Sequence, residues 1–181
     1  GGTSAYTLDI AKQIKEKYNV PSVAHLTCVS STKETVRERI CDIKNAGIQN
    51  ITALRGDIPE EYKNTDKSSW DYHHATELIR ELKECDAGFC IGGACYPEIH
   101  PESKNQKDDI KYLKEKVDAG CDFLTTQMFF DNDLLYNFLY QIREKGITVP
   151  VVAGIMPVTN AKQMKKILAM LLVLAMALSL V

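Results

Sequence analysis

"CDFLTTQMFFDNDLLYNFLYQIREKGITVPVVAGIMP" (residues 121–157) is the stretch on which the fold turns. Its first ten residues, 121–130, are mostly apolar and rich in Phe and Thr, which suits a strand. Asp131 then stands where a helix N-cap belongs, because a short carboxylate can accept a hydrogen bond from the first free backbone N–H groups. Leu134, Leu135, Phe138 and Ile142 recur at helical spacing and are expected to face inward, and Gly146 closes the segment as a C-terminal stop. A second apolar run, "VPVVAGIMP" (149–157), comes next. Strand, helix and strand in this order form a βαβ unit, and its two strands must run parallel.

The same unit repeats toward the amino terminus. "VPSVAHLTC" (20–28), "IQNITALRG" (48–56) and "GFCIGGACY" (88–96) are further apolar runs, so five strands are expected. Between them, Val36, Ile40 and Ile43 lie on one helical face of residues 31–47, with Ser31 and Glu34 spaced as a capping box and Gly47 as a stop. Residues 107–120 repeat the design with Ile110, Leu113, Val117 and the closing Gly120. His73 and His74 read as helix-surface residues. The alternation places the chain in the α/β class, with parallel strands expected to be buried on both faces.

Two architectures satisfy this pattern: an open doubly wound sheet and a (β/α)8 TIM barrel. The Gly-x-Gly-x-x-Gly fingerprint that would favour dinucleotide binding on an open sheet is absent, and "IGGAC" is followed by no helix cap. Every strand ends instead in polar or special residues: His25 and Thr27; Arg55, Gly56 and Asp57; Tyr96, Glu98 and His100; Gln127; and Met156 with Pro157. A barrel gathers such ends on one face, which carries the active site. Five strands are too few to close it, so the expectation is an incomplete TIM barrel over residues 1–166. Residues 167–181, "ILAMLLVLAMALSLV", form a separate apolar tail. At 15 residues it is shorter than the roughly 20 that a membrane helix usually needs, so a truncated or altered core helix is the main reading and a tail anchor the minor alternative.

Composition narrows the function. A net charge of −2 and a pI near 6.1 argue against a nucleic-acid surface, which needs clustered, uncompensated Lys and Arg. Here lysines alternate with acids, as in "KQIKEKY" (12–18), the pattern of solvated helix faces. No two of the six cysteines, at 28, 41, 85, 90, 95 and 121, have Cys-x-x-Cys spacing, so no metal site is expected. Cys28, Cys90, Cys95 and Cys121 lie in or beside apolar runs and read as buried reduced thiols. With no secretory signal and no membrane segment expected, the location expected is the cytoplasm.

Six motifs stand in an order and spacing that resemble the methylenetetrahydrofolate reductase family: "AHLTC" (24–28), "ALRGDIP" (53–59), "YPEIHPE" (96–102), "KVDAG" (116–120), "TQMFFD" (126–131) and "GIMPVTNAKQ" (154–163). The resemblance runs from about Ser22 to Ile167. It implies a flavoprotein in which FAD lies across the strand ends, contacted by His25, Arg55, Gly56, Asp57, Tyr96, His100, Asp109 and Lys116. It further implies that NADH or NADPH and then 5,10-methylenetetrahydrofolate use one site in turn, Gln127 meeting both and Asp57 carrying charge beside the cationic folate. On this basis Asp57 and Gln127 are the expected catalytic residues, and Asp57, Gln127 and Gln163 the expected folate contacts. The family's first two strands, one bearing a glutamate proton donor, have no counterpart here, and the apolar tail matches nothing in the family. An inactive fragment is therefore expected. A homo-oligomer and an iron-sulfur electron-donating partner protein are further partners that the resemblance allows. The competing readings are a barrel fragment that does not hold FAD and a flavin-free pterin-binding barrel enzyme.

Overall fold

The computed structural model describes residues 4–155, apart from 59, 64, 65, 69 and 86, together with 160, 161, 164 and 165. Gln163, Met156, Pro157 and the tail 167–181 lie outside the described residues, so the expectations placed on them do too. Among the described residues, elements succeed one another in the order α1 (Ser4–Tyr18), β1 (Val23–Thr27), α2 (Lys33–Asn45), β2 (Asn50–Leu54), a 3-10 turn (Glu60–Tyr62), α3 (Ala75–Glu84), β3 (Cys90–Cys95), α4 (Gln106–Asp118), β4 (Phe123–Thr126), α5 (Asn132–Glu144) and β5 (Val151–Val152).

Short-range chemistry places the helix ends. Asp131 caps α5, accepting from Asp133 N–H at 2.8 Å. Asn105 does the same for α4, accepting from Asp108 N–H at 2.9 Å. At α2 the expected Ser31–Glu34 box is displaced by one residue: Thr32 is the N-cap and its Oγ1 accepts from Thr35 N–H at 3.3 Å. The Ser31 hydroxyl is turned back onto the carbonyl of Val29 at 3.4 Å. His73 and His74 are exposed, but they sit in the turn before α3 and not on its surface, because Glu77 reaches back to accept from both their N–H groups, at 2.5 and 2.9 Å. Three helices close alike. After α2, α4 and α5 a glycine in the left-handed region is followed by a buried apolar residue, Ile48, Cys121 or Ile147, whose N–H returns to the last turn at 3.2, 3.2 and 3.0 Å.

All five strands are parallel and stand in the order β1-β2-β3-β4-β5. That order never reverses, which separates it from the doubly wound arrangement, where the strand order changes direction partway. Right-handed crossovers that always step the same way put the connecting helices α2, α3, α4 and α5 on one face of the sheet. The contacts of α3 with α4 and of α4 with α5 agree with a single helical layer.

The core lies between that layer and the sheet. Ala24, Leu26, Ile51, Ala53, Ile91 and Leu124 alternate onto the helix side and pack with Val36, Ile40, Ile43, Leu78, Ile79, Leu82, Ile110, Leu113, Phe138 and Ile142. Each Val, Leu, Ile or Phe side chain among them contributes about 1.5–3 kcal/mol when fully buried. Val117 and Leu135 are half-buried, whereas Leu134 is exposed, because its position turns toward the rim of the α5 apolar stripe.

The other face corrects the expectation of strands buried on both sides. Val23, His25, Thr27, Cys90, Phe123 and Val152 point there, with Val23 46% and Val152 52% exposed. Cys90 is exposed for the same reason, unlike the buried Cys28, Cys95 and Cys121. Inside this face, Gly92 stands beside Phe123 in register. A Cβ on Gly92 would lie 2.6 Å from Phe123 Cε2, 2.9 Å from Cε1 and nearer still to Cζ, so the ring occupies the space that glycine leaves.

Candidate functional site

The polar residues gather where the strands end. Directly after β2, the chain turns through Arg55, Gly56 and Asp57. Gly56 has φ +88°, and a Cβ there would lie 3.0 Å from Val29 Cγ1 and 3.2 Å from Thr27 Cβ, so glycine meets both a backbone and a steric demand. The N–H groups of Cys28 and Val29 donate to Arg55 O at 3.2 and 2.8 Å, lacing the exits of β1 and β2 together. Gln127 is tied in at the end of β4, its N–H donating to Cys95 O at 2.7 Å while its side chain stays exposed.

The loop after β3 carries most of the cluster. Tyr96 and His100 meet edge to face, with ring centroids 4.6 Å apart and planes at 76°. Asp109, in the first turn of α4, holds this loop: its carboxylate accepts from His100 N–H and from Ser103 Oγ, both at 3.1 Å. His100 Nδ1 accepts from Glu102 N–H at 3.1 Å, which leaves its proton on Nε2. Glu102 then reaches across to the exit of β2. Its two oxygens accept from Arg55 Nη1 and Nη2 at 2.6 and 2.7 Å, a bidentate pair. Lys116, near the end of α4, runs its stem past Gly93 and donates from Nζ to Ala94 O at 3.0 Å.

These groups lie within one another's fields. Burial raises the Tyr96 hydroxyl above its ordinary pKa, with Asp57 adding to the rise and Arg55 opposing it, so the phenol stays protonated. Burial lowers His100, against the opposing charges of Glu102 and Asp109, which favours the neutral ring that its Nδ1 contact requires. Lys116 is lowered by desolvation and partly restored by Asp109. The hydrogen bond from Arg55 holds Glu102 below the ordinary carboxylate range, and the same bond raises Arg55.

Of the residues expected at the site, Arg55, Gly56, Asp57, Tyr96, His100, Asp109 and Lys116 come together at one end of the sheet, with Gln127 on the neighbouring strand. His25 stands apart from the rim. It lies on the uncovered face in register with Thr52, one row below the end of β1. Glu102 and Ser103 have no role in the sequence reading. The available signal for Glu102 is its place in "YPEIHPE", an acid two residues after a histidine that turns the chain. Two shallow clefts, one of them lined by Ile10, Ile14, Pro21 and Val23, lie at the opposite end of β1 and contain none of this chemistry.

Chemically, the cluster offers a guanidinium and an ammonium for anionic oxygens, a phenol and a neutral imidazole for the rim of a ring system, and an exposed carboxylate, Asp57, to face a cation. No described helix is long and apolar enough to cross a membrane.

The family model described as methylenetetrahydrofolate reductase matches residues 1–174. A 5,10-methylenetetrahydrofolate reductase from Pectobacterium carotovorum subsp. carotovorum is 40% identical over 164 residues, covering 91% of this chain and 53% of the relative. That of Escherichia coli (strain K12) is 41% identical over 160 residues, covering 88% and 52%. Methylenetetrahydrofolate reductase 2 of Saccharomyces cerevisiae is 38% identical, covering 88% of this chain and 27% of the relative. The chain thus spans about half the length of the bacterial relatives and less of the yeast one. Among solved structures, a phosphoenolpyruvate phosphomutase from Streptomyces platensis subsp. rosaceus superposes with TM-score 0.62 at 17% identity, covering 83% of this chain and 53% of that one. A 2,3-dimethylmalate lyase superposes with TM-score 0.61 at 11% identity, covering 91% and 57%. At such identities these two speak for the fold alone.

Proposed function

Because the chain belongs to the methylenetetrahydrofolate reductase family, we propose that it is the central part of a (β/α)8 barrel that reduces 5,10-methylenetetrahydrofolate to 5-methyltetrahydrofolate at the expense of NADH or NADPH, with FAD bound across its strand ends. The observation that carries this reading is the convergence of Arg55, Asp57, Tyr96, His100, Asp109 and Lys116 at the carboxyl end of a parallel sheet whose strand order never reverses.

The donor set fits FAD. Arg55 and Lys116 supply the positive charge that a diphosphate needs, and the Tyr96–His100 pair presents a ring edge with a polar tip to a nucleoside or flavin. Asp109 acts through the loop, fixing His100 by its main chain. His25, on the uncovered face, meets the ligand from below the rim. When bound, FAD supplies hydride transfer between the nicotinamide and the folate, chemistry that the protein's own groups cannot perform. Asp57, exposed and fixed by the Gly56 turn, is placed to stabilise positive charge developing on the folate, a preorganised electrostatic role usually worth a few kcal/mol. Gln127, with an amide that both donates and accepts, serves the nicotinamide and the folate in turn, and Gln163 adds a folate contact. The reading carries a cytoplasmic location and a homo-oligomer with it, and leaves room for an iron-sulfur partner.

The 181 residues alone are proposed to be inactive. A barrel of this kind has about 250 residues and eight strands, and closes only when its first and last strands pair. The second reading is a non-catalytic piece that does not hold FAD. It is favoured by one observation: the Arg55 fork is already engaged by Glu102, and the Lys116 ammonium already gives one of its hydrogen bonds to Ala94 O. A yellow protein with flavin absorbance supports the first reading, and a colourless one that retains no flavin through gel filtration after incubation with FAD supports the second. The activity is tested by assaying NADH-dependent reduction of methylenetetrahydrofolate by this chain and by a longer version carrying a relative's amino-terminal strands. In the longer version Asp57→Asn should slow the folate half-reaction far more than the NADH half-reaction, as measured by stopped-flow flavin absorbance. Equal slowing of both would remove Asp57 from this role.

A further inference from the structure

Arg55 is already occupied. Both of its terminal nitrogens are given to Glu102, at 2.6 and 2.7 Å, and its Nε leans on Gly56 O at 3.4 Å. The two partners are unequally exposed. The Arg55 side chain is 24% exposed and that of Glu102 is 56%, so the carboxylate caps the guanidinium from the solvent side, the side from which a ligand arrives. Glu102 is also not a stray surface acid. Its N–H donates to His100 Nδ1, and the His100 N–H is held by Asp109, so the backbone that carries the carboxylate is anchored to α4.

We propose that Glu102 is the resident counter-ion of the Arg55 fork, and that the bridging diphosphate of a bound dinucleotide takes its place, which makes Glu102 a specificity-determining residue for that site. The inference rests on the reading of this cluster as the FAD site. Carboxylate and phosphate oxygens match the guanidinium fork in the same bidentate way, so the two compete for one set of N–H donors. A ligand must therefore bring more than Glu102 already offers. A diphosphate does so, having several oxygens and more than one negative charge, whereas a lone carboxylate gains nothing by the exchange. Once displaced, Glu102 stays tethered within reach and repels the anion that replaced it. Removing its charge should therefore tighten anion binding, whereas a Glu102 that merely orients Arg55 would make the same change weaken it. Asp109 also faces this region, but it is committed to His100 and Ser103 and does not touch the fork.

The test compares the full chain with Glu102→Gln, which keeps the size and removes the charge, and with Glu102→Lys, which reverses it. Each is titrated with FAD, with NADH and with inorganic diphosphate, and circular dichroism checks that the three proteins fold alike. The expected result is that Glu102→Gln binds FAD and diphosphate about two- to fivefold more tightly, the range of a partly exposed ion pair, and Glu102→Lys more tightly again. Unchanged or weaker binding of both in the variants overturns the role given to Glu102. Tighter diphosphate with no FAD binding by any of the three supports that role and overturns the FAD reading. A gain confined to NADH and diphosphate supports the role and assigns the fork to the nicotinamide dinucleotide. Binding of no probe by any of the three overturns both.

Discussion

Replacing Gly92 by Ala tests the uncovered face of the sheet most sharply. The new Cβ would stand 2.6 and 2.9 Å from two ring carbons of Phe123, on the directly paired strand, and closer to a third. Contacts of that length cannot persist, so the ring must turn out of the face. Overpacking of this kind costs about 1–3 kcal/mol. Because the ring borders open space, the lower half of that range is expected. In a Phe123→Ala background the obstacle is gone, and alanine in a strand interior should then be neutral or better than glycine by up to about 1 kcal/mol. The double-mutant cycle should therefore give a coupling of about 1–3 kcal/mol, with the single Gly92→Ala change lowering the urea midpoint by about 0.5–1.5 M. The assay is equilibrium urea unfolding of the four proteins by circular dichroism. Effects that add within about 0.5 kcal/mol would refute the claim that Gly92 is small for the sake of Phe123.

Three further outcomes are expected. Burial raises Cys95 to about 12 and Cys28 and Cys121 to about 11, so a thiol reagent at about pH 8 should label the exposed Cys41 and Cys90 promptly and those three only on unfolding; prompt labelling of Cys95 would contradict its place in the core. His100 is lowered from its ordinary 6.5 by burial, so the unfolded chain binds the proton more readily than the folded one. Stability from this group is present above pH 6.5 and lost as pH falls through the folded value, and His100→Gln should flatten that part of the stability profile. Asp109→Asn weakens the hold on His100 N–H and the Ser103 hydroxyl and should cost about 1–2 kcal/mol, with faster hydrogen exchange at the His100 amide; unchanged exchange would show that the loop is held elsewhere.

The sequence was most informative where local chemistry decides. Asp131, Gly47, Gly120 and Gly146 mark helix ends because capping involves neighbours a few residues apart, and all four stand where they were expected. The α2 cap slipped by one position because Ser31 and Thr32 carry the same hydroxyl chemistry, and only the extended backbone at Thr32 separates them. The uncovered face was not foreseen, since Phe123, Val152 and Cys90 are as apolar as the residues across the sheet from them. Periodicity says that a side chain lies on a face, not whether anything covers that face. At the site, Arg55, Tyr96, His100 and Lys116 were legible as a motif set. The partnership of Arg55 with Glu102 was not, because it joins residues 47 positions apart through the pairing of β2 with β3.

The unreversed strand order has a further consequence, for how the chain acquires its shape. Val23 pairs with Asn50, Ile51 with Ile91, Gly92 with Phe123 and Leu124 with Val151, so each strand finds its partners among its immediate predecessors and successors. Among the described strands, none has to wait for a distant segment before it can pair with its neighbour in the chain. A parallel sheet is ordinarily slow to form, because loops must close before pairing stabilises anything. Here the closures are short and successive, so each unit can dock onto the one before it as the polypeptide leaves the ribosome. The strand most recently docked is then always an edge, with unpaired N–H and C=O groups waiting for the next unit. A pause in synthesis between two units would leave that edge open to another nascent chain, so slow codons in the linkers after α3, α4 or α5 are where misassembly should begin.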